Sequence, residues 1–212
     1  MVRYLAISFL AAVLLGSCSL KTTEGLRQVH FNKTDVKNPY FSNPEMDYVY
    51  KAKIQLYKKN FGGILIVKKM GPESHRVVFT TEFGSKLFDF AFEGDTFTNH
   101  FVVKDLDRKF IIDILKNDFK LLVNETAKVL AVYESPNERI YKTQSGDRFN
   151  FYFLDDRTER LQKIVNTTKT KEIVAVVFTP ASADVAAVIA IRHENIKLTI
   201  DLNKFKNEKY VD

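Results

Sequence analysis

Apolar and polar side chains alternate with a period of two through much of this sequence, and no other feature restricts the fold as strongly. In YVYKAKIQLY, residues 48–57, the even positions from 50 to 56 are apolar or aromatic, whereas positions 51, 53 and 55 carry lysine or glutamine. Successive side chains of a β-strand point to opposite faces of its sheet. The pattern therefore predicts a strand with one buried face and one face in water.

Further runs of strand character lie on both sides of one interruption. They are GGILIVKK (62–69), HRVVFTTEF (75–83), GSKLFDFAFEGD (84–95) and TFTNHFVV (96–103) before it, and KVLAVYE (128–134), RIYKTQ (139–144), RFNFYFLD (148–155), RLQKIVNTT (160–168), KEIVAVVFT (171–179), DVAAVIAIRH (184–193) and NIKLTIDLN (195–203) after it. Short turn-like segments separate the first five strands. Such short connections favour an antiparallel meander.

The interruption, residues 105–123, changes to a helical period. Its apolar stripe consists of Leu106, Phe110, Ile114, Leu115, Phe119 and Leu122. The spacing predicts one amphipathic helix, with Asp105 as its N-cap. Ten or more strands and one helix predict a mainly β fold, in which a strongly curved antiparallel sheet or half-open barrel carries the helix on its concave side. A β-sandwich is the structural alternative.

The N-terminus, MVRYLAISFLAAVLLGSC, has the composition of an export signal. Its apolar stretch from Leu5 to Leu15 is far shorter than the ~20 residues that span a bilayer. Leu15-Gly16-Ser17-Cys18 resembles the lipobox of bacterial lipoprotein signal peptides. The resemblance implies cleavage before Cys18, a diacylglycerol on its thiol, and further acylation, such as with palmitate, of the new amino terminus. The alternative is an ordinary secretory signal with a chance cysteine.

The chain then divides into three parts. Residues 1–17 are predicted to be the lipoprotein signal peptide, residues 18–47 a polar lipidated tether interrupted by Pro39 and Pro44, and residues 48–212 a single β-rich domain. The later half of the tether can pack on this domain. Serine rather than aspartate follows Cys18. In the lipoprotein family this implies the outer membrane, and we expect a lipid-anchored protein that faces the periplasm.

Catalytic and metal-binding patterns are absent from the sequence. His30, His75, His100 and His193 share no short ligand spacing, and Cys18 is the lone cysteine. No GxSxG elbow, P-loop or glycine-rich dinucleotide turn occurs. We therefore expect no enzyme, no metal and no cofactor. FGG at 61–63 indicates a bulge or a close approach of two backbones, and adjacent Asp155 and Asp156 are interpreted as turn residues.

The net charge of +6 favours a solvated sheet face or attraction to an anionic membrane. The lysines at positions 51, 53, 58, 59, 68 and 69 form the densest basic group. No basic helix or RNP motif is present, and the export signal directs the chain out of the cytoplasm, so nucleic acid is not an expected partner.

The aromatic residues allow two interpretations. Eighteen phenylalanines are present, and the candidate residues for an apolar core or an apolar cavity are Phe88, Phe90, Phe92, Phe110, Ile114 and Phe119. An ordinary core explains them, and so does a cavity between sheet and helix that accepts acyl chains.

The order of strands and helix over residues 48–203 resembles the LolA/LolB-type lipoprotein carriers, and HRVVFTTEFG through LFDF resembles uncharacterised Bacteroidetes lipoproteins. The carrier resemblance implies a half-open barrel with helices as a lid over a hydrophobic cavity, and an exposed apolar loop for which Met70 is the candidate. We expect an anchored, non-enzymatic protein that binds or transfers an apolar ligand, such as acyl chains or other lipoproteins. The alternatives are a structural or interaction lipoprotein without a cavity and, third, a hydrolase.

Overall fold

The computed structural model describes residues 20–205, which form one β-sheet and one α-helix. The strands are β1 (Arg27–Val29), β2 (Asp35–Lys37), β3 (Asp47–Leu56), β4 (Lys59–Gly71), β5 (Ser74–Thr80), β6 (Lys86–Glu93), β7 (Thr96–Val102), β8 (Thr126–Glu134), β9 (Glu138–Ser145), β10 (Arg148–Asp155), β11 (Leu161–Thr167), β12 (Glu172–Pro180), β13 (Ala186–His193) and β14 (Leu198–Lys204). Helix α1 (Lys109–Val123) lies between β7 and β8, and a 3₁₀ turn covers Lys21–Thr23.

The sheet consists of two antiparallel meanders. β3 to β7 pair in chain order, β8 to β14 do the same, and β14 joins the meanders by pairing with β3. β7 is one edge of the sheet. At the other edge, β1 and β2 both pair with β8. Because β7 does not pair with β8, the curved sheet stays open and does not close into a barrel. The prediction of a mainly β fold with a curved, open antiparallel sheet and one helix is confirmed.

Alternation directs one face of the sheet towards α1. In β3 the even-numbered residues from Tyr48 to Leu56 are buried and most of the odd-numbered ones are exposed, as their period of two predicted. The inner residues of the strands and one side of the helix form a single large cluster. The core therefore lies between the concave face of the sheet and α1.

The start and the rotation of α1 differ from the prediction. The helix begins at Lys109, Arg108 is its N-cap, and no side chain caps it. The prediction of Asp105 as N-cap is wrong: its carboxylate lies 3.1 Å from Lys59 Nζ. Phe110 was placed on the inner stripe, but it is 59% exposed. Ile111 is buried in its place, because adjacent helical residues are rotated by about 100° and the true stripe continues through Leu115.

The segment predicted to be a tether lies on the sheet from residue 20 onwards. β1 and β2 add to the edge at β8, and Tyr40 and Phe41 are buried in the core. The Tyr40 hydroxyl donates a hydrogen bond of 2.8 Å to the Leu161 carbonyl. β1 and β2 have three residues each, which is too short to show a period in the sequence. The signal peptide and Cys18 lie outside the described residues.

A second, smaller cluster lies on the outer face. Ile140, Phe151, Phe153 and Val165 are buried there, and Leu20 and Leu26 pack over them. The neighbouring 3₁₀ turn is fixed by Thr22, whose hydroxyl donates a hydrogen bond of 2.7 Å to Glu172. The beginning of the described chain is thus held against the outside of the sheet.

Two local predictions also stand. A Cβ on Gly63 would lie 1.8 Å from the Thr80 carbonyl oxygen, so FGG does mark a close backbone approach. Asp155 accepts hydrogen bonds from the backbone N–H groups of Arg157 and Thr158, which is the role of a turn residue. Within residues 20–205, no helix is long and apolar enough to cross a membrane.

Candidate functional site

The interface between α1 and the concave face of the sheet is the candidate site. Phe119 reaches from the helix to the sheet, where its ring centroid lies 5.4 Å from that of Phe88. Phe88 in turn stacks on Phe90 at 4.6 Å and contacts Phe79 at 5.4 Å. All four side chains have no measurable exposure. The helix therefore covers a continuous aromatic surface that would otherwise face water.

The structure brings most of the predicted aromatic residues to this interface. Phe88, Phe90, Phe92 and Phe119 are buried in the main cluster, and Ile114 packs against it while partly buried. Phe110, as described above, points away. Clefts of about 590 and 470 Å³ open at the surface; His193 lines the larger one, and no residue of α1 lines either. Between helix and sheet the aromatic side chains themselves occupy the space.

A polar pair lies inside this apolar interface. A hydrogen bond of 2.9 Å joins His193 Nε2 on β13 to Asp118 Oδ2 on α1. The side chains are only 4% and 1% exposed. Burial raises the pKa of Asp118, and the hydrogen bond to His193 opposes that rise. His193 Nδ1 is buried and has no hydrogen-bond partner among the described residues. Desolvating two polar groups costs free energy that a single hydrogen bond repays in part.

No sequence signal identifies this pair. The two residues are 75 positions apart, and a buried histidine on a strand has the same local pattern as any other inward side chain. Asp118 lies on the buried side of α1, so an acidic residue within the apolar stripe was the available hint.

A second buried histidine fixes the chain before β3. His75 Nε2–H donates a hydrogen bond of 3.0 Å to the Phe41 carbonyl. Burial lowers the pKa of His75 and so favours the neutral ring, whereas the hydrogen bond to Phe41 acts in the opposite direction. Glu125 lies 3.5 Å from the same nitrogen and accepts a bond of 2.7 Å from Lys69. Asn38 Nδ2 donates to the Leu122 carbonyl, so the segment also contacts the end of α1.

Other chemistry is not assembled in the described part of the chain. No group of three or more His, Cys, Asp and Glu residues within 20–205 has the arrangement of a metal site. His100 lies on β7 and is exposed. Asp156 pairs with Arg139 at 3.2 Å at the surface.

Comparison with known proteins gives distant structural similarity. No protein-family model matches the sequence, and no curated protein matches it. A LolA superfamily protein from Nitrosomonas europaea aligns with 11% identity over 79% of this chain and 88% of its own, with a TM-score of 0.46. A domain assigned as an outer membrane lipoprotein-sorting protein from Vibrio parahaemolyticus aligns with 9% identity over 76% and 83%, with a TM-score of 0.42. A DUF1329 family protein from Desulfovibrio piger aligns with 7% identity over 76% and 84%, with a TM-score of 0.42.

Proposed function

We propose that this protein is an outer-membrane lipoprotein, anchored through Cys18 and facing the periplasm, that binds or transfers an apolar ligand such as an acyl chain. The observation that carries the proposal is the cover over the aromatic inner face. Among residues 20–205, α1 covers the part of that face formed by Phe79, Phe88 and Phe90, whereas Tyr40 and Phe41 cover Phe178 and Tyr48. No strand ladder holds α1 in place. Ligand binding would displace α1 and use the surface that α1 now buries.

The open sheet makes this displacement physically accessible. α1 connects the two strands that do not pair with each other, β7 and β8. Moving the helix breaks side-chain contacts and the Asn38–Leu122, Asp118–His193 and Lys120–Gly94 hydrogen bonds, but leaves the hydrogen bonds of the sheet intact. The uncovered surface would consist of phenylalanine rings, including Phe88 and Phe90. Such a surface suits methylene chains, each CH₂ of which gains about 0.8 kcal/mol on leaving water.

The Asp118–His193 pair also favours a helix that can leave. An apolar pair of similar volume at this place would often hold the helix as well or better. A buried polar pair instead fixes one arrangement of helix on sheet while adding little net stability. We therefore assign the pair to positioning α1, and we assign no covalent step to any residue of the protein.

The test of the ligand uses the mature chain, residues 18–212, with Cys18→Ser to remove the anchor. Native mass spectrometry of the purified protein should show co-purifying lipid, and a fluorescent fatty acid should bind and be displaced by an unlabelled one. A clean ligand-free mass together with no fatty-acid binding would overturn the carrier function.

The displacement of α1 can be followed by the fluorescence of a single introduced tryptophan, because the chain contains none of its own. Phe119→Trp places a fluorophore between helix and sheet, and fatty acid should change its emission. Phe83→Trp is the matched control, since Phe83 is 98% exposed in the turn between β5 and β6. Equal responses at both positions would contradict movement of the helix.

The anchor is tested separately. Cys18→Ala should abolish incorporation of radiolabelled palmitate and membrane fractionation. Persistence of the label in this variant would refute lipidation of Cys18.

One observation favours the alternative of an interaction lipoprotein. The edge strand β7, TFTNHFV, has no charged residue and no proline, and Phe101 on it is 42% exposed. Edge strands of this kind accept a further strand from a partner. Recovery of a stable envelope protein on the intact lipoprotein would support this function over ligand transfer, provided that Thr98→Pro abolishes the recovery and the control Thr98→Ser does not.

A further inference from the structure

The point at which the described chain begins lies beside two turns of the sheet. Leu20 and Lys21 share a cleft of about 470 Å³ with Thr170 and Lys171, before β12, and with residues 194–195, after β13. Cys18 lies two residues before Leu20, which corresponds to about 7 Å of fully extended chain. A lipid on Cys18 would therefore hold this end of the molecule close to the bilayer.

A third turn continues the same surface. The Tyr57 N–H, in the turn between β3 and β4, donates a hydrogen bond of 2.8 Å to the Lys197 carbonyl. Tyr57 and Lys197 also line the cleft of about 590 Å³, together with Glu194. We call this surface the lysine rim and define it as Lys21, Tyr57, Lys58, Lys169, Lys171 and Lys197.

The lysines of the rim are exposed and lack acidic partners. None of the five makes an ion pair within 4.0 Å among residues 20–205, whereas Lys51, Lys59 and Lys68 are paired with Glu82, Asp105 and Asp47. Two glutamates accompany the rim, Glu172 and Glu194.

The rim therefore has an excess of positive charge. Glu172 accepts the hydrogen bond of Thr22, and Glu194 is exposed. The five lysines of the rim and the two glutamates that line its clefts sum to a net charge of +3. The Tyr57 side chain adds an aromatic ring that is 56% exposed.

We propose that the lysine rim is the surface with which the anchored protein lies on an anionic bilayer. The lysine ammonium groups would contact headgroup phosphates, and the Tyr57 ring would lie at the interface between headgroups and acyl chains, where an aromatic ring with a polar tip is favoured. The inference rests on the proposed anchor at Cys18, because the anchor fixes which end meets the bilayer. Each lysine near an anionic surface raises the affinity of the protein for the bilayer about fivefold.

Tyr57→Trp tests the contact in the full-length lipoprotein, reconstituted with its lipid into vesicles. Brominated lipids quench tryptophan that touches the bilayer. In vesicles that contain phosphatidylglycerol we expect quenching of the new tryptophan, weakened by salt, and much less quenching in pure phosphatidylcholine. Met70→Trp is the control, because Met70 is 61% exposed at the other end of β4, about 40 Å along the strand. Absence of quenching at position 57, or equal quenching at both positions, would overturn the proposal.

Charge is tested with Lys169→Gln, Lys171→Gln and Lys197→Gln combined, in the Tyr57→Trp background. The affinity for anionic vesicles should fall about a hundredfold. The control is Lys51→Gln with Lys68→Gln, two exposed lysines that already have acidic partners. A loss of about 25-fold in this two-lysine control, the same factor per lysine, would show attraction by net charge instead of a specific surface. Binding of soluble polyanions without binding of anionic vesicles would exclude the bilayer as the partner.

Failure of the rim and failure of the anchor give different results. Palmitate incorporation at Cys18 without quenching at position 57 overturns the rim alone. Absence of palmitate incorporation overturns the anchor. The unlipidated chain is then tested for binding to anionic vesicles, and absence of binding would overturn the rim as well.

Discussion

Asp118 on α1 and His193 on β13 lie 2.9 Å apart inside an interface that is otherwise apolar, and each side chain is almost completely buried. Among residues 20–205, this is the one hydrogen bond that joins a side chain of α1 to a side chain of a strand on the concave face. The other buried residues of α1 are apolar: Ile111, Leu115, Phe119, Leu121, Leu122 and Val123. The stability contribution of the Asp118–His193 pair depends on pH in a direction set by burial.

The first prediction concerns that pH dependence. Because burial raises the pKa of Asp118, the folded state binds its proton more tightly than the unfolded state. The resulting stability is complete below the ordinary value of 3.8 and is lost as pH rises through the raised pKa. The asparagine side chain of Asp118→Asn stays neutral at every pH. The free energy of unfolding of this variant, relative to that of the native chain, should therefore rise by about 1–3 kcal/mol between low and neutral pH. Urea unfolding across that range measures it. Asp113→Asn, on the exposed side of α1, should lack this trend.

Asp89 should show the opposite dependence. Arg76 Nε and Nη2 donate hydrogen bonds of 2.6 and 2.9 Å to its carboxylate, and Lys86 adds another of 2.6 Å. The hydrogen bonds from Arg76 hold the pKa of Asp89 down at about 2. Its stabilisation is therefore present above 3.8 and lost as pH falls through about 2. Asp89→Asn should lose about 2 kcal/mol of unfolding free energy at neutral pH and much less near pH 2. A loss that does not change with pH would contradict the ion pair as its cause.

Two adjacent glycines form a matched pair in β4. A Cβ at Gly63 meets the Thr80 carbonyl oxygen at 1.8 Å, whereas a Cβ at Gly62 meets nothing within 4 Å. Gly63→Ala should therefore lower the free energy of unfolding by about 3 kcal/mol. Gly62→Ala should change it by less than about 1 kcal/mol and in the stabilising direction. Denaturant titration of both variants decides whether the close approach exists.

The rotation of α1 predicts another contrast between neighbours. Ile111 is 7% exposed and faces the sheet, whereas Phe110 is 59% exposed. Ile111→Ala should cost about 2–4 kcal/mol of unfolding free energy, and Phe110→Ala less than about 1 kcal/mol. A larger loss of unfolding free energy in Phe110→Ala than in Ile111→Ala would contradict this rotation of α1 and support the stripe predicted from the sequence.

The outer cluster provides a test of the N-terminal segment. Leu26 packs on Phe151 and its neighbours, whereas Leu130 on β8 is 50% exposed. Leu26→Ser should expose the segment 20–29 to proteases and lower stability by about 2 kcal/mol. Leu130→Ser should leave proteolysis unchanged. Equal protection in both variants would contradict packing of the segment on the sheet.

The strands and the single helix could be predicted because each is long enough to repeat its own period. β3 shows five buried even-numbered residues in succession, and residues 106–122 show the 3.6-residue stripe. The meander followed from short connections between adjacent strands. The position of Phe110 was predicted wrongly because α1 carries more apolar residues than its buried face holds. The sequence therefore does not determine the rotation of the helix about its axis.

The sequence by itself determined the class of fold and the antiparallel order of neighbouring strands, since periodicity and the lengths of connections are local properties. Only the tertiary structure decided that residues 20–47 lie on the sheet, that Asp118 meets His193, and that Lys197 adjoins Tyr57. These contacts join residues far apart in the chain, through strands too short to have a period or through side chains whose partner lies on another element. Their geometry depends on how the sheet curves around α1, and no spacing within one segment records that curvature.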